Sequence, residues 1–388
     1  MRENQQVTAL LTATVLFGAL VVGCAPEAAG DDDVLVLAMT AGANEPAPAL
    51  TARARQEITA ALQGDHASLR VVVAGDQRPR VVEEGQLRLR RGAQVEHDGA
   101  RRAALTRQEV ERVGALLAGT GSGASQSDPL ALLDHIGRTP GRVTGVLLSS
   151  GLQTTGPLAT AVLGWDRVGA GATVEHARSL GLVPDLTGKR VVFSGIGDTE
   201  APQRPLPPQL RNRLVDFWTG LCRAGGAVEC AVDPDPVTGG RPVSTTPVPT
   251  VPVPEPPVVS EPVPQARPIA LSSDVLFGPD SAVLLEPAGP VLRGLAANLP
   301  AGAGITLTGH TASVGPADTA RRLSLARATA VRDALVGLGV PGSAVTALGV
   351  GFDEPIAVDR GPDGALDPVA AQRNRAVVVV VTAGGGRS

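Results

Sequence analysis

The chain has no tyrosine, its aromatic residues amount to 2% of 388 positions, and Lys189 is its single lysine. A nucleic-acid-binding surface needs aromatic platforms for bases and a clustered basic face for phosphates. Neither is here, and the net charge of −4 points the same way, so nucleic acid is excluded as a partner. Histidine is scarce: His66, His97, His135, His176 and His310 are the five, and none falls in a catalytic or metal-binding motif. Ser149-Ser150-Gly151 lacks the G-x-S-x-G elbow of a hydrolase. The G-T-G-S-G run at Gly119–Gly123 follows a helical segment and carries no lysine, so it is not a phosphate-binding loop. These absences argue against an enzyme, a bound metal and a cofactor. Cysteine is limited to Cys24, Cys222 and Cys230.

What the chain does have is length for two or three domains, an apolar content of 43% that suffices for buried cores, 47 glycines and 33 prolines. Its start reads as an export signal over 1–23. Arg2 is the only early positive charge, and Val7 to Gly23 are apolar or small, a run shorter than the roughly 20 residues of a spanning helix. The run ends Val21-Val22-Gly23-Cys24, which resembles a bacterial lipobox. The resemblance implies cleavage before Cys24 and a diacylglyceryl group on its thiol, with 24–33 as a tether to the membrane. Such anchoring takes two or three acyl chains, because one alone holds weakly.

A proline-rich segment, 236–266, divides the rest. It cannot pack a core of its own and favours the extended polyproline helix. About 30 residues at roughly 3.1 Å each make a semi-rigid spacer approaching about 100 Å; an SH3-type ligand is the alternative.

Before it, 34–235 alternates short apolar runs with helical segments. Strands are expected at Val34–Met39, Leu69–Ala74, Arg142–Leu148 and Lys189–Phe193, and a hairpin over Leu87–Val95. Helices are expected at Ala49–Leu62, from a capping box of Thr106 and Glu109 to Gly119, from Asp128-Pro129 to Ile136, and at Leu210–Arg223. Gly225-Gly226 ends the last helix, and Ala227–Val232 reads as a strand. Cys222 and Cys230 thus sit at a helix end and on a strand. In an exported chain an even pair points to a disulfide, with two buried thiols as the alternative. The alternation implies α/β architecture, a mostly parallel, doubly wound sheet. This order resembles a von Willebrand factor A-like domain. That family's metal site uses carboxylates in the loops after its strands, and here those loops are Ala38-Met39-Thr40-Ala41-Gly42 and Leu148-Ser149-Ser150-Gly151. A hard dication needs carboxylate charge among its oxygen ligands, so no metal is expected. Any ligand belongs at the carboxyl ends of the strands, near Thr40, Asn44, Ser149, Ser150 and Asp198.

After the spacer, 267–384 holds an ordered set of motifs. Val275-Leu276-Phe277-Gly278 with Asp280-Ser281-Ala282 reads as an opening strand and turn, and Pro287–Leu299 as a helix. Ile305–Thr308 leads into Gly309-His310-Thr311. The run Leu323-Ser324-Leu325-Ala326-Arg327-Ala328 with Val331 lies on a helix over Thr319–Leu338, whose apolar stripe is read as Leu323, Ala326, Ala330, Ala334 and Leu338. Val345–Gly351 is a strand. Arg373-Asn374-Arg375 precede Val377–Val381, five valines suited to a strand covered on both faces. In this order the motifs resemble an OmpA-like domain, which implies a β/α sandwich that grips peptidoglycan. The resemblance implies that Arg327 pairs with a carboxylate of the stem peptide, helped by Asn374 and Arg375. The family's aspartate for the stem ammonium falls on Ala312, and two further polar positions on Val314 and Ala320, so binding is expected to be weakened or altered. The whole reads as a non-enzymatic, lipid-anchored protein of the cell membrane and envelope. The rival reading is an envelope adaptor for an unknown protein partner, its OmpA-like domain no longer taking glycan.

Overall fold

A computed structural model describes residues 33–64, 67–169, 171–254 and 266–382. Cys24, the signal segment and His66 lie outside the described residues. In chain order the first unit contains β1 (Asp33–Met39), α1 (Ala52–Gln63), β2 (Ser68–Val73), β3 (Arg80–Gln86), β4 (Arg90–Arg91), β5 (Gln94–Val95), α2 (Gly99–Ala118), α3 (Pro129–Arg138), β6 (Arg142–Leu148), α4 (Thr160–Leu163), α5 (Gly171–Ser179), β7 (Arg190–Ser194), α6 (Pro208–Ala224) and β8 (Glu229–Val232). Its main sheet runs β3-β2-β1-β6-β7-β8, parallel throughout except for β3 at the edge. Strand β1 shows why a continuous apolar run belongs here. Val36 and Ala38 face the core against α3 and α6, with Leu132, Ile136 and Trp218. Leu37 and Met39 face the other core, with Ile58, Val113 and Leu117 from α1 and α2. A strand covered on both sides has no position for a polar residue.

Three expectations change in this unit. Helix α2 does not open at the Thr106 capping box; it starts at Gly99, where the Asp98 carboxylate accepts the Arg101 N–H at 2.9 Å. An aspartate at the N-cap satisfies an orphan donor, and nothing between it and Thr106 breaks the helix. The expected hairpin is a two-residue pairing, β4 with β5, whereas β3 pairs with β2 as the true edge strand. The proline-rich segment is not a free spacer over 236–254. Val248, Val251 and Val253 are buried, and Gln203 brackets Val251, donating to its carbonyl at 3.0 Å and accepting its N–H at 2.7 Å. The Trp165 indole N–H donates to the Pro252 carbonyl at 2.7 Å. Valines set among prolines keep the N–H groups that proline lacks, so the strap can be tied down.

Cys222 and Cys230 form a disulfide between α6 and β8, with Cα atoms 6.1 Å apart. Among the described residues, no helix is long and apolar enough to cross a membrane.

The second unit contains β9 (Ile269–Ser272), α7 (Ser273–Leu276), α8 (Ala288–Ala297), β10 (Gly304–His310), α9 (Ala317–Gly337), β11 (Val345–Gly351), α10 (Pro368–Asn374) and β12 (Ala376–Thr382). The sheet order is β11-β10-β12-β9, with β10 and β11 parallel and the other pairs antiparallel. Helices α8 and α9 cover one face over Leu271, Ile305, Leu307, Val377, Val379 and Val381. The opening strand lies earlier than expected; Val275 and Leu276 belong to the helical turn α7. Val378 and Val380 are only partly buried and pair with Thr308 and Thr306, so β12 is sealed on one face rather than two. The stripe on α9 is also rotated. Its buried residues are Ala320, Ser324, Arg327, Ala328, Val331 and Leu335, while Leu338 is exposed. The helical period is as expected, but the buried arc includes a serine and an arginine that hydropathy assigns to water.

Candidate functional site

The pocket of the second unit is built by close approach of α9 to the sheet. A Cβ at Gly309 would lie 2.0 Å from the Ser324 carbonyl oxygen, and one at Gly349 would lie 2.3 Å from the Leu325 nitrogen. Glycine at both positions lets the helix backbone rest on β10 and β11. The glycine of Gly309-His310-Thr311 therefore serves packing. His310 is buried, its Nδ1 is 2.9 Å from the Glu354 carbonyl, and burial holds its pKa below the usual imidazole range.

One turn beyond Ser324, Arg327 enters the interior. Its guanidinium lies 5.4 Å from the Phe277 ring centroid, its Nε donates to the Ser281 carbonyl at 2.9 Å, and its side chain is 1% exposed. Its ionic partner comes from the first unit: Nη1 donates to the Asp166 carboxylate at 3.2 Å. Arg375, just past α10, sets its Nε 3.2 Å from the other oxygen of Asp166. Arg375 also donates through Nη2 to the carbonyls of Val162 at 3.2 Å and Leu163 at 3.3 Å. Gly164, at φ 77°, makes room for this, since a Cβ there would lie 2.2 Å from Arg375 Cζ.

The two units meet around this pair. Arg213 of α6 donates to the Trp165 carbonyl through one nitrogen and to the Phe277 carbonyl at 2.8 Å through the other. The Asp280 N–H donates to the Asp166 carbonyl at 2.5 Å, and the Arg167 Nε pairs with the Asp280 carboxylate at 3.2 Å. Asp274 of α7 is fully buried, and neither of its oxygens has a hydrogen-bond partner. Burial first, and then the Asp166 charge, push its pKa up to about 7 against the pull of Arg375, Arg213 and Arg327. Beside the cluster lies a cavity of about 260 Å³, walled by Asp166, Asp280, Thr311, Ala312, Val314, Ala320 and Arg375.

Of the three residues proposed from sequence, Arg327 and Arg375 converge on one carboxylate. Asn374 does not join them, because its amide donates to the Ala357 carbonyl at 2.8 Å and accepts the Ala357 N–H at 2.9 Å. That reciprocal pair ties the preceding loop to α10. Asp166 escaped the sequence reading, and Asp280 entered it only as part of the Asp280-Ser281-Ala282 turn, with no role at the site. They sit in unremarkable polar loops, and only the docking of the two units gives them partners.

A second polar centre lies in the first unit, at the carboxyl ends of β1 and β6, where the strand order reverses. Thr40, Asn44, Ser149, Ser150 and Asp198 all come to this edge, as do Glu45 and its partners. The Glu45 carboxylate, which the sequence reading passed over, accepts from Thr40 Oγ1 and Ser150 Oγ, and from the Ser150 N–H at 3.0 Å. Asp198 pairs instead with Arg211 at 3.0 Å. The Glu45 side chain thus fills the space between the two loops. Among the described residues no group of three or more His, Cys, Asp or Glu is placed to hold a metal ion.

Solved structures similar to part of the chain include a putative MotB-like protein from Desulfovibrio vulgaris, 24% identical, covering 31% of this chain and 76% of that one with a TM-score of 0.26. The peptidoglycan-associated lipoprotein from Burkholderia pseudomallei is 26% identical, covering 28% of this chain and 86% of that one, TM-score 0.24. The cell wall anchor of the T6SS from Pseudomonas aeruginosa is 28% identical, covering 30% and 80%, TM-score 0.25. No curated protein matches the chain. The model of the OmpA family matches residues 276–366, the stretch that carries α8, β10, α9, Arg327 and β11, and so this part of the chain is an OmpA-family domain.

Proposed function

We propose that this is a non-enzymatic cell-envelope protein that associates with peptidoglycan through its OmpA-family domain. One observation carries the reading. Two guanidiniums, Arg327 within the matched stretch and Arg375 beyond it in the same unit, meet a single carboxylate, the group a stem peptide would present. Paired arginines suit this task because their fixed donors match the planar carboxylate. Ala312 stands in the adjoining cavity where an aspartate would take the stem ammonium. A missing charge-assisted hydrogen bond is worth about 1.5–3 kcal/mol, or roughly a ten- to hundredfold loss of affinity. Co-sedimentation with purified sacculi tests the reading. The wild-type chain should bind weakly, Arg327→Ala should abolish binding, and Ala312→Asp should strengthen it. Binding that survives Arg327→Ala unchanged would refute the assignment.

The finer parts of the proposal concern the ends of the molecule. Cys24 carries the acyl anchor, on the strength of the Val-Val-Gly-Cys motif, and the chain is extracytoplasmic. Labelled fatty acid should enter the wild-type protein and not Cys24→Ser; equal labelling of both would sink this. The first unit is a von Willebrand A-like interaction module that displays a protein-binding face. Its reversed strand order and its Glu45-filled edge support a module without a metal, and micromolar binding of Mg²⁺ or Ca²⁺ in calorimetry would count against it. The burial of Arg327 favours a second reading, an envelope adaptor that no longer takes glycan, which predicts no sacculus binding by any variant.

A further inference from the structure

We propose that Asp166 is an internal ligand of the OmpA-family pocket, so that the first unit latches onto the second and withholds its carboxylate site from outside ligands. The inference rests on the peptidoglycan reading only for the identity of the outside ligand.

The occupancy is specific. Each Asp166 oxygen faces a different arginine: Oδ2 accepts a hydrogen bond from Arg327, and Oδ1 lies 3.2 Å from Arg375 Nε in an ion pair that makes no hydrogen bond. The backbone around it is held as well: the Trp165 carbonyl accepts from Arg213, and the Asp166 carbonyl accepts from Asp280. Gly164 has no Cβ where one would strike Arg375. The loop is therefore shaped to present one acidic side chain to two guanidiniums, much as a peptide ligand would.

The occupancy is also exclusive. Arg327 is 0% exposed, and the neighbouring cavity reaches Asp166 and Arg375 but is not walled by Arg327. A stem carboxylate can meet Arg327 only after Asp166 leaves.

The contact is built to release. The apolar core of the second unit is a cluster separate from both cores of the first. What joins the units here is ionic and polar, and interfaces of that kind permit domain motion. The pairing offsets a large desolvation cost rather than adding a large surplus. One buried nitrogen, Arg327 Nη2, has no partner in the closed form, so a ligand that satisfies it gains over Asp166. Ligand and latch compete for one site, and each lowers the apparent affinity of the other.

The test uses the full chain in two assays, sacculus co-sedimentation and small-angle X-ray scattering. Asp166→Ala should enlarge the radius of gyration and bind sacculi about tenfold more tightly, as when the binding-competent state is roughly a tenth populated in the wild type. Asp166→Asn, which keeps the shape and removes the charge, should do the same and covers the case in which the alanine variant misfolds. Arg327→Ala should expand like Asp166→Ala but fail to bind. The latch is overturned if the Asp166 variants keep wild-type dimensions, or if they expand and bind no tighter than a wild type that itself binds. If no variant binds sacculi and the Asp166 variants still expand, the latch stands and the peptidoglycan reading falls.

Discussion

Asp274 should make the protein less stable as pH rises through neutrality, and replacing it should reverse that trend. The carboxyl ionises near 3.8 in an unfolded chain and near 7 in the folded one. Below about pH 4 both states hold the proton, and the group exerts no pH-dependent effect. Between those values the unfolded chain gives up its proton while the folded chain keeps it, so stability falls as pH rises, and the loss is complete above the folded value. A gap of about three units at roughly 1.36 kcal/mol each is on the order of 4 kcal/mol. Asp274→Asn removes the titration but leaves a buried amide without partners, a cost of about 1–3 kcal/mol at every pH. The variant should therefore be less stable than wild type near pH 4 and more stable near pH 8. His135 and His310 have pKa values lowered by burial, so their contribution rises with pH, but it cancels in the difference between the two proteins. Differential scanning calorimetry across pH 4–8 reads that difference directly. If it stays constant over the range, Asp274 is ionised in the folded state and the reasoning fails. The same logic links Asp274 to the latch. Without the Asp166 charge, three arginines face Asp274 alone, so Asp166→Asn should flatten the pH dependence.

Gly309→Ala should destabilise the second unit by about 1–3 kcal/mol or prevent its folding, because α9 must retreat from its contact with β10; a thermal melt within experimental error of wild type would contradict this. Reducing the Cys222–Cys230 bridge, which spans eight positions, should cost about 2–3 kcal/mol from the short loop it closes, read as a lower urea midpoint for the first unit. Glu45→Ala strips Thr40 and Ser150 of their shared acceptor and should cost about 1–3 kcal/mol, with Glu45→Gln recovering part of it. Equal stability of Glu45→Ala and wild type would remove Glu45 from its structural role.

Much of the fold was legible where burial is repetitive. The β1 and β6 runs read as strands because each is apolar at consecutive positions, and β6 falls at the expected Arg142–Leu148. The α3 start at Asp128-Pro129 was legible from its cap and its N1 proline, and Asp128 does accept the Ala131 N–H at 3.0 Å. The phase of α9 was not, because its buried arc contains Ser324 and Arg327. Ser324 donates to the Arg321 carbonyl and accepts the Gly351 N–H at 3.0 Å, while Arg327 is neutralised by a residue 161 positions away. No local rule makes a serine and an arginine inward-facing.

By itself the sequence determined the alternating α/β order of the first unit, the OmpA-like motif order of the second, the candidacy of Cys222 and Cys230 for a disulfide and the candidacy of Arg327 and Arg375. These depend on local periodicity, caps, short spacings and recognisable motif order. Tertiary structure decided that the proline-rich strap lies against the first unit, that Asn374 is spent on Ala357, and that Asp166 closes the arginine site. Each of those outcomes needs groups far apart in the chain to share one desolvated space. There a charge or amide takes whichever partner the packing brings to it, and hydropathy along the chain carries no record of that choice.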